Sequence, residues 1–402
     1  MGLLIAAVAP WATRVQLEIE ELELPGLQNS LAGTTIGLLA GYFAFRRLSR
    51  YPGVRASYPI FPAFAVSYGL VLIAFFFARL DYSRLHFSAS FMLCILWYYI
   101  VYFKLQRQQL RIGVVPFGNT RSLTAIEAVA WVDLRREGAA AEELDVIVAD
   151  LHADLGDNWE RFLADRALAG TLVMHVKQME ESLSGRVAIE HLSENNFGSL
   201  IPGIVYAKVK RVADFLIALA VLPILLPLFM LLGIAIRLDS PGPALFIQER
   251  MGFRGRAFRM AKFRTMATEV RNAADERENV RTLQDDQRVT RIGRFLRRYR
   301  LDELPQVFNV LKGEMSWIGP RPEALPLSAW YEAELPFYRY RHIVRPGITG
   351  WAQVKQGHVT DVDQVLGKLH YDFYYIKNFS FWLDLLILAG TVRTIVTGHG
   401  VR

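Results

Sequence analysis

The chain has 402 residues, and hydrophobic residues make up 52% of them, which is high for a soluble protein and indicates partial burial in a membrane. The formal net charge of +7 suits anionic lipid headgroups and phosphorylated substrates, and no motif indicates binding of nucleic acid. Because Cys94 is the single cysteine, an intrachain disulfide and a cysteine metal cluster are both excluded.

Residues 1–110 contain three long apolar runs, which predict a helical transmembrane region. The runs at 60–78 and 87–103 are long enough to span a bilayer, whereas the run at 31–45 is marginal. Basic residues follow the first and third runs, so the positive-inside rule places residues 46–57 and everything after 104 in the cytoplasm. The sequence leaves open whether there are three or four spans.

Residues 111–200 alternate short apolar runs with polar, helix-like segments, which predicts a small α/β domain with a mostly parallel sheet. Five of the runs are typical of strands, and Asn158–Ala169 is typical of an amphipathic helix. Gly113 and Gly118 do not form a dinucleotide-binding fingerprint. A structural or dimerising module is therefore favoured over a nucleotide site.

The apolar run at 212–236 is about long enough to cross a membrane. Basic residues flank it on both sides, which favours placing both ends in the cytoplasm. Pro223 and Pro227 lie at its centre and favour a bend, because each removes a helical hydrogen bond. We predict a re-entrant helix here, and a plain transmembrane helix is the alternative.

Residues 240–266 follow this run and predict a β-hairpin that carries Lys262 and Arg264. These two cations suit either phosphate contact or attraction to the lipid surface. The next segment, 267–290, is highly charged and predicts an exposed loop or a lid.

Asp302 and Glu303 stand side by side after five arginines, and a rigid Pro320-Arg321-Pro322 segment follows. The apolar spacing predicts a helix over about 303–312 with Asp302 as its N-cap, so the helix dipole and the arginines should lower the pKa of both carboxylates. Such carboxylates suit nucleophilic attack on phosphorus or binding of Mg²⁺. An ordinary acidic helix start is the other interpretation.

The motifs LDELPQVFNVLKGEMSWIGPRP and VRPGITGWAQV make the chain from about Ala207 onward resemble the bacterial sugar transferase family, the monotopic phosphoglycosyl transferases. The resemblance implies that Asp302 attacks the β-phosphate of a UDP-sugar and releases UMP, and that a polyprenyl phosphate then takes the sugar phosphate. It also implies that Glu303, with Asp302, holds Mg²⁺.

Further site residues follow from matching motifs. Lys262 and Arg264 match a phosphate-contacting motif, and Arg297 matches an arginine before the acidic pair. Pro320, Arg321 and Arg345 are predicted phosphate-site residues, since Arg321 is fixed between prolines and Arg345 opens a glycine-containing segment. Asp372, in YDFYYIKN, is predicted to contact sugar or metal or to be structural, with the structural role favoured. In the family a Ser-Pro pair forms the membrane bend, whereas here the pair is Leu226-Pro227.

The predicted architecture is a transmembrane helical region (1–110), a Rossmann-like middle domain (111–200) and a mainly helical α/β monotopic catalytic domain with a re-entrant helix (201–402). The predicted location is the bacterial inner membrane with the catalytic domain on the cytoplasmic face. Glucose or galactose is the predicted sugar, and a homodimer is implied by resemblance only. A non-enzymatic scaffold for polysaccharide assembly is the alternative function. A CDP-alcohol type of phosphotransferase is disfavoured, because its spaced aspartates are absent from the sequence.

Overall fold

We describe the protein from a computed structural model. It describes residues 24–49, 57–105, 111–120, 123, 129–134, 144–187, 201–267, 288–335, 337–356 and 362–397. The chain divides into two compact units, residues 1–185 and 186–402. The predicted domain boundaries at 110 and 200 stay a prediction, and the predicted loop or lid falls mostly outside the described residues.

The described part of the first unit starts with three helices: α1 (Leu24–Leu48), α2 (Ile60–Ala78) and α3 (Arg84–Leu105). Gly33, Gly37 and Gly41 lie one turn apart on α1 and face aromatic side chains of α2. A β-carbon at Gly33 would lie only 2.2 Å from the ring of Phe75, so the absence of side chains allows this close approach. We did not predict this contact, although the four-residue spacing of the glycines is visible in the sequence.

Three described helices are long and apolar enough to cross a membrane: Ile60–Ala78, Arg84–Lys104 and Ile204–Asp239. The first two correspond to the spans predicted at 60–78 and 87–103. The marginal first run lies within α1, which is not one of the three. The chain is therefore membrane-associated, and the number of N-terminal spans stays open.

A four-stranded parallel sheet follows in the same unit, in the order β2-β1-β3-β4. Its strands are β1 (Arg111–Val114), β2 (Ala130–Asp133), β3 (Val146–Ala149) and β4 (Leu172–His175), with helices α4 (Asp157–Leu168) and α5 (Val176–Ser184). Four of the five predicted strands and the predicted helix are present, and the fifth falls largely on residues that the structure does not describe. The Rossmann-like character of this region stays a prediction.

Asp150, His152 and His175 meet at the carboxyl edge of this sheet. The backbone N–H of Lys177 donates to His175 Nδ1 at 3.0 Å, so a neutral His175 carries its proton on Nε2. That nitrogen lies 2.6 Å from His152 Nδ1 and donates to it. A metal ion binds a histidine nitrogen that carries no proton, and neither nitrogen of His175 is available in this arrangement. We therefore interpret the cluster as a hydrogen-bonded contact between the ends of β3 and β4.

The second unit begins with α6 (Ile204–Asp239), which contains Pro223 and Pro227 and is continuous over 36 residues. An antiparallel hairpin follows, formed by β5 (Leu245–Met251) and β6 (Ala257–Phe263), as predicted. The other described helices are α7 (Arg291–Arg298), α8 (Val307–Lys312), α9 (Leu325–Glu334), α10 (Trp351–Lys355), α11 (Val362–Lys377) and α12 (Phe381–Thr397). Strands β7 (Ser316–Ile318) and β8 (Gly347–Thr349) pair in parallel.

One face of α6 packs against the rest of this unit over most of the helix length. Near its start, Lys210 Nζ lies 2.7 Å from Asp384 Oδ2 of α12. In its middle, Ala218 joins a core with residues of β6 and α8, and near its end Ile236 packs against Phe263. The other face exposes large apolar side chains: Phe215, Leu216, Leu219, Ile224, Leu226, Met230, Leu231, Ile234 and Leu238.

Candidate active site

Glu303 is the centre of a cluster of buried charges. Its Oε1 accepts hydrogen bonds from Lys262 Nζ at 3.1 Å and from Arg321 Nη2 at 2.8 Å. Its Oε2 lies 3.6 Å from Arg300 Nη1. We call Lys262, Arg300 and Arg321 the cation cluster. Burial alone would raise the pKa of Glu303, but Arg321, Lys262 and Arg300 hold this pKa far below its usual range, so Glu303 is ionised.

Three separate elements bring the cation cluster to Glu303. Lys262 comes from β6. Asp302 and Glu303 themselves lie in a 3-10 helix, Leu301–Gln306, which α8 follows directly. Arg300 precedes this helix in the left-handed conformation, with φ of 55°. Arg321 follows β7, and the carbonyl of Pro320 accepts a hydrogen bond from the N–H of Gly347 at 2.9 Å. Pairing of β7 with β8 therefore fixes the loop that presents Arg321.

The acidic pair does not begin an α-helix as predicted. The predicted helix over 303–312 is a 3-10 turn followed by a six-residue α-helix, so Asp302 is not an α-helical N-cap. Pro305 lies inside the 3-10 segment and has no N–H to donate, which suits the tighter turn.

Asp302 has different surroundings from Glu303. None of the described residues donates a hydrogen bond to its carboxylate. Burial and the neighbouring charge of Glu303 raise the pKa of Asp302, and Lys262, Arg321 and Arg297 only partly oppose this. The prediction that both carboxylates have lowered pKa values is therefore wrong for Asp302. Its carboxylate remains available for chemistry, because the cations are held by Glu303.

The other predicted phosphate residues divide into two groups. Lys262, Arg297 and Arg321 surround the acidic pair, and Arg297 also donates to Thr265 Oγ1 at 2.8 Å. Arg264 is instead buried at the end of α6, where it donates to the carbonyls of Ser240 at 2.6 Å and Pro241 at 2.8 Å. Its predicted phosphate contact has no support from this geometry.

Arg345 and Asp372 also lie away from Glu303. Arg345 donates from Nε to the carbonyl of Gly313 at 3.0 Å and stacks over the ring of Phe253. Asp372 is buried and binds Arg341 in two places, at 2.8 and 3.1 Å, which supports the structural role that the sequence favoured for it. Phosphate binding by Arg345 and sugar or metal binding by Asp372 stay predictions.

The resemblance implies Mg²⁺, and the two acidic residues fit this ion unequally. Magnesium in proteins binds one or two carboxylates together with substrate phosphates and keeps several waters. Asp302 fits because its carboxylate has no competing hydrogen bond from the described residues. Glu303 fits only through Oε2, since Lys262 and Arg321 already donate to Oε1.

Sequence reasoning missed the charged residues behind Arg321. They are Arg250, Glu323, Arg341 and Lys368, which with Asp372 form a buried ion-pair network. Their signal in the sequence was weak, because the five residues lie in β5, in the loop after β7, in a 3-10 helix (Tyr338–Ile343) and in α11, and only the fold brings them together.

A family model described as bacterial sugar transferase matches residues 205–398. The chain is 45% identical, over 93% of its length and 88% of the relative's, to the UDP-N-acetylgalactosamine-undecaprenyl-phosphate N-acetylgalactosaminephosphotransferase of Aeromonas hydrophila. It is 45% identical over 190 residues to the undecaprenyl-phosphate glucose phosphotransferase of Komagataeibacter xylinus, covering 46% of this chain and 35% of that protein. A UDP-glucose:undecaprenyl-phosphate glucose-1-phosphate transferase of Escherichia coli is 38% identical over 46% of this chain and 39% of its own length. As its motifs predicted, the chain is an enzyme that belongs to the bacterial sugar transferase family.

Proposed function

We propose that the protein transfers a sugar 1-phosphate from a UDP-sugar to polyprenyl phosphate and releases UMP. The observation that carries the proposal is the contrast between the two carboxylates, in which Glu303 holds the cation cluster and leaves Asp302 uncommitted. The names of the relatives support the same reaction class. We assign the step to the start of lipid-linked polysaccharide synthesis.

In the proposed first step, an ionised oxygen of Asp302 attacks the β-phosphorus of the UDP-sugar. A bond forms between this oxygen and the phosphorus, the bond from the phosphorus to the bridging oxygen breaks, and UMP leaves with that electron pair. In the second step, a phosphate oxygen of polyprenyl phosphate attacks the same phosphorus and frees Asp302. One carboxylate thus carries the group between two substrates, so the kinetics are expected to be ping-pong.

The cations stabilise this transfer by electrostatics. Negative charge builds on the leaving phosphate, and Arg321 and Lys262, which lie beside the acidic pair, supply positive charge to stabilise it. Asp302 and Oε2 of Glu303 would hold Mg²⁺, which would supply positive charge to neutralise phosphate oxygens. Glu303 keeps Arg321 and Lys262 in place, because without its charge the two buried cations would repel each other.

The relatives differ in their sugars. The Aeromonas hydrophila relative, which matches nearly the whole chain, is named for N-acetylgalactosamine, whereas the Komagataeibacter xylinus and Escherichia coli relatives, which match about half of it, are named for glucose. We therefore propose UDP-N-acetylgalactosamine as the first donor, ahead of the UDP-glucose and UDP-galactose predicted from the sequence.

Purified protein in detergent, supplied with Mg²⁺ and undecaprenyl phosphate, is expected to release UMP from one UDP-sugar. UDP-N-acetylgalactosamine, UDP-glucose and UDP-galactose are compared at equal concentration, and a chelator is expected to stop the release. Release of UMP from none of these donors would count against the proposal. A scaffold, the alternative function, would release none and would tolerate loss of Asp302.

We further propose a location on the inner membrane with a catalytic domain on its cytoplasmic face, where UDP-sugars are found. Both ends of α6 are tied to the same unit, at Lys210 by Asp384 and at Asp239 by the N–H of Ile292 at 3.1 Å. Because both ends of α6 contact the same unit, both ends lie on the same side of a bilayer. This supports the monotopic, re-entrant arrangement that the flanking charges predicted.

Two single-cysteine variants test this arrangement. Cys94→Ser removes the native thiol, and either Lys208→Cys or Arg237→Cys introduces one label site near each end of α6. In intact cells, an impermeant maleimide is expected to label neither site, and both should react after the cells are opened. Labelling of only one of the two in intact cells would show that α6 crosses the membrane.

A further inference from the structure

A second cluster of charges lies directly behind Arg321. It consists of Arg250, Glu323, Arg341, Lys368 and Asp372, which we call the support network. We propose that Asp372 and Arg341 are positioning residues, which fix the backbone of Arg321 and thereby set its guanidinium against Glu303. The inference rests on the proposed function and adds residues to it that do not themselves reach the reacting phosphate.

Arg341 makes the central connection. Its Nη2 donates to the carbonyl of Arg321 at 2.9 Å and to Asp372 Oδ2 at 2.8 Å, and its Nε donates to the same carboxylate oxygen at 3.1 Å. Its Nη1 donates to the hydroxyl of Tyr338. The planar guanidinium is thus held at each of its nitrogens, and its direction toward the Arg321 carbonyl is fixed.

Arg250 holds the next carbonyl of the same loop. Its Nη1 donates to the carbonyl of Pro322 at 3.0 Å and lies 4.0 Å from Glu323 Oε2. Lys368 donates to Glu323 Oε1 from α11. Two successive carbonyls, at residues 321 and 322, therefore accept hydrogen bonds from the buried Arg341 and the partly buried Arg250, and each arginine faces its own carboxylate.

The location of these charges argues for a positional role. A buried ion pair adds little net stability compared with apolar residues of similar size. Asp372 and Arg341 are 1% and 3% exposed, yet Arg341 donates directly to the backbone carbonyl of Arg321 at the active site, and Asp372 accepts hydrogen bonds from Arg341. Prolines on both sides restrict the loop, so fixing the carbonyl of Arg321 limits the directions its side chain takes.

The experiment is a double-mutant cycle between Asp372→Asn and Arg321→Ala, read as UMP release. Asp372→Asn keeps the shape but removes the charge that orients Arg341, and it is expected to lower kcat about 100-fold with KM changed less than about 3-fold. If Asp372 acts through Arg321, the double variant is as slow as Arg321→Ala alone. Effects that multiply in the double variant would overturn the proposal.

Glu332→Gln is the matched control. Glu332 lies near Arg339 and His342, on either side of Arg341 in the same 3-10 helix, at 3.6 and 3.7 Å. This variant is expected to keep wild-type kcat and to leave the effect of Arg321→Ala unchanged. If Glu332→Gln loses as much activity as Asp372→Asn, the loss reflects disturbed folding of this region, and the positioning role of Asp372 is overturned.

A second readout does not depend on the reaction. Phenylglyoxal modifies accessible arginines, and peptide mass spectrometry measures its rate at Arg321. We expect Asp372→Asn to speed this modification at least several-fold and Glu332→Gln to leave it unchanged. Equal rates in all three proteins would overturn the positioning role. Absence of UMP release from the wild type would instead count against the proposed function, and the modification rates would still decide the positioning role.

Discussion

Replacing Asp302 by asparagine is expected to abolish UMP release, with a loss of at least about 10⁴-fold in kcat. The amide has nearly the same shape as the carboxylate but is not a nucleophile toward phosphorus. The neighbouring carboxylate of Glu303 is not free to replace it, because Glu303 is bound by the cation cluster. The measurement is UMP release by wild type and variant at equal folded concentration.

The same variant is expected to keep or increase thermal stability. The pKa of Asp302 is raised in the folded protein, so its contribution to stability is present below the unfolded pKa and is lost as the pH rises through the folded pKa. At neutral pH the ionised group is therefore unfavourable, and asparagine relieves this cost. An inactive variant with a clearly lower Tm would indicate a loss of structure and would not identify a nucleophile.

Replacing Glu303 by glutamine is expected to abolish activity and also to destabilise the fold, by about 3–5 kcal/mol. Glu303 is 5% exposed, and the loss of its charge leaves the partly buried cation cluster without its counter-charge. Because the pKa of Glu303 is lowered in the folded protein, its stabilising contribution is present above the unfolded carboxyl pKa and is lost as the pH falls through the folded pKa.

Thermal unfolding in detergent at neutral pH measures this effect, and Glu334→Gln is the control. Glu334 is an exposed glutamate on α9, and its replacement is expected to leave Tm within about 1 °C of the wild type. A Glu303→Gln variant as stable as this control would contradict the assigned role of Glu303 as anchor of the cation cluster.

Elements with strong local patterns were predictable from the sequence. The apolar run at 60–78 coincides with α2. The hairpin of β5 and β6 is formed by the two segments that the sequence predicted as strands because turns rich in Gly and Pro flank them. Lys262 and Arg321, which the motifs predicted as phosphate-binding residues, lie beside the acidic pair, and their contact with phosphate stays a prediction. In these cases the prediction needs only the pattern of one continuous segment, or a motif that names the site residues directly.

The rest depended on tertiary contacts. Arg264 was predicted as a phosphate residue because it shares a motif with Lys262, but β6 ends at Phe263 and Arg264 lies beyond it, so the alternation of faces along the strand does not set its direction. Lys262 reaches Glu303, whereas Arg264 turns to the end of α6. The unequal pKa values of Asp302 and Glu303 had no sequence signal, because they arise from which carboxylate the cations contact.

The central claim is that Asp302 becomes covalently attached to the sugar phosphate, and intact-mass spectrometry tests it most directly. Wild-type protein is mixed with the UDP-sugar that supports UMP release and with Mg²⁺, without polyprenyl phosphate. We predict a mass increase equal to one sugar phosphate, located by fragmentation at Asp302, absent from Asp302→Asn and removed when polyprenyl phosphate is added. UMP release without any added mass, or the same adduct in Asp302→Asn, would contradict this account.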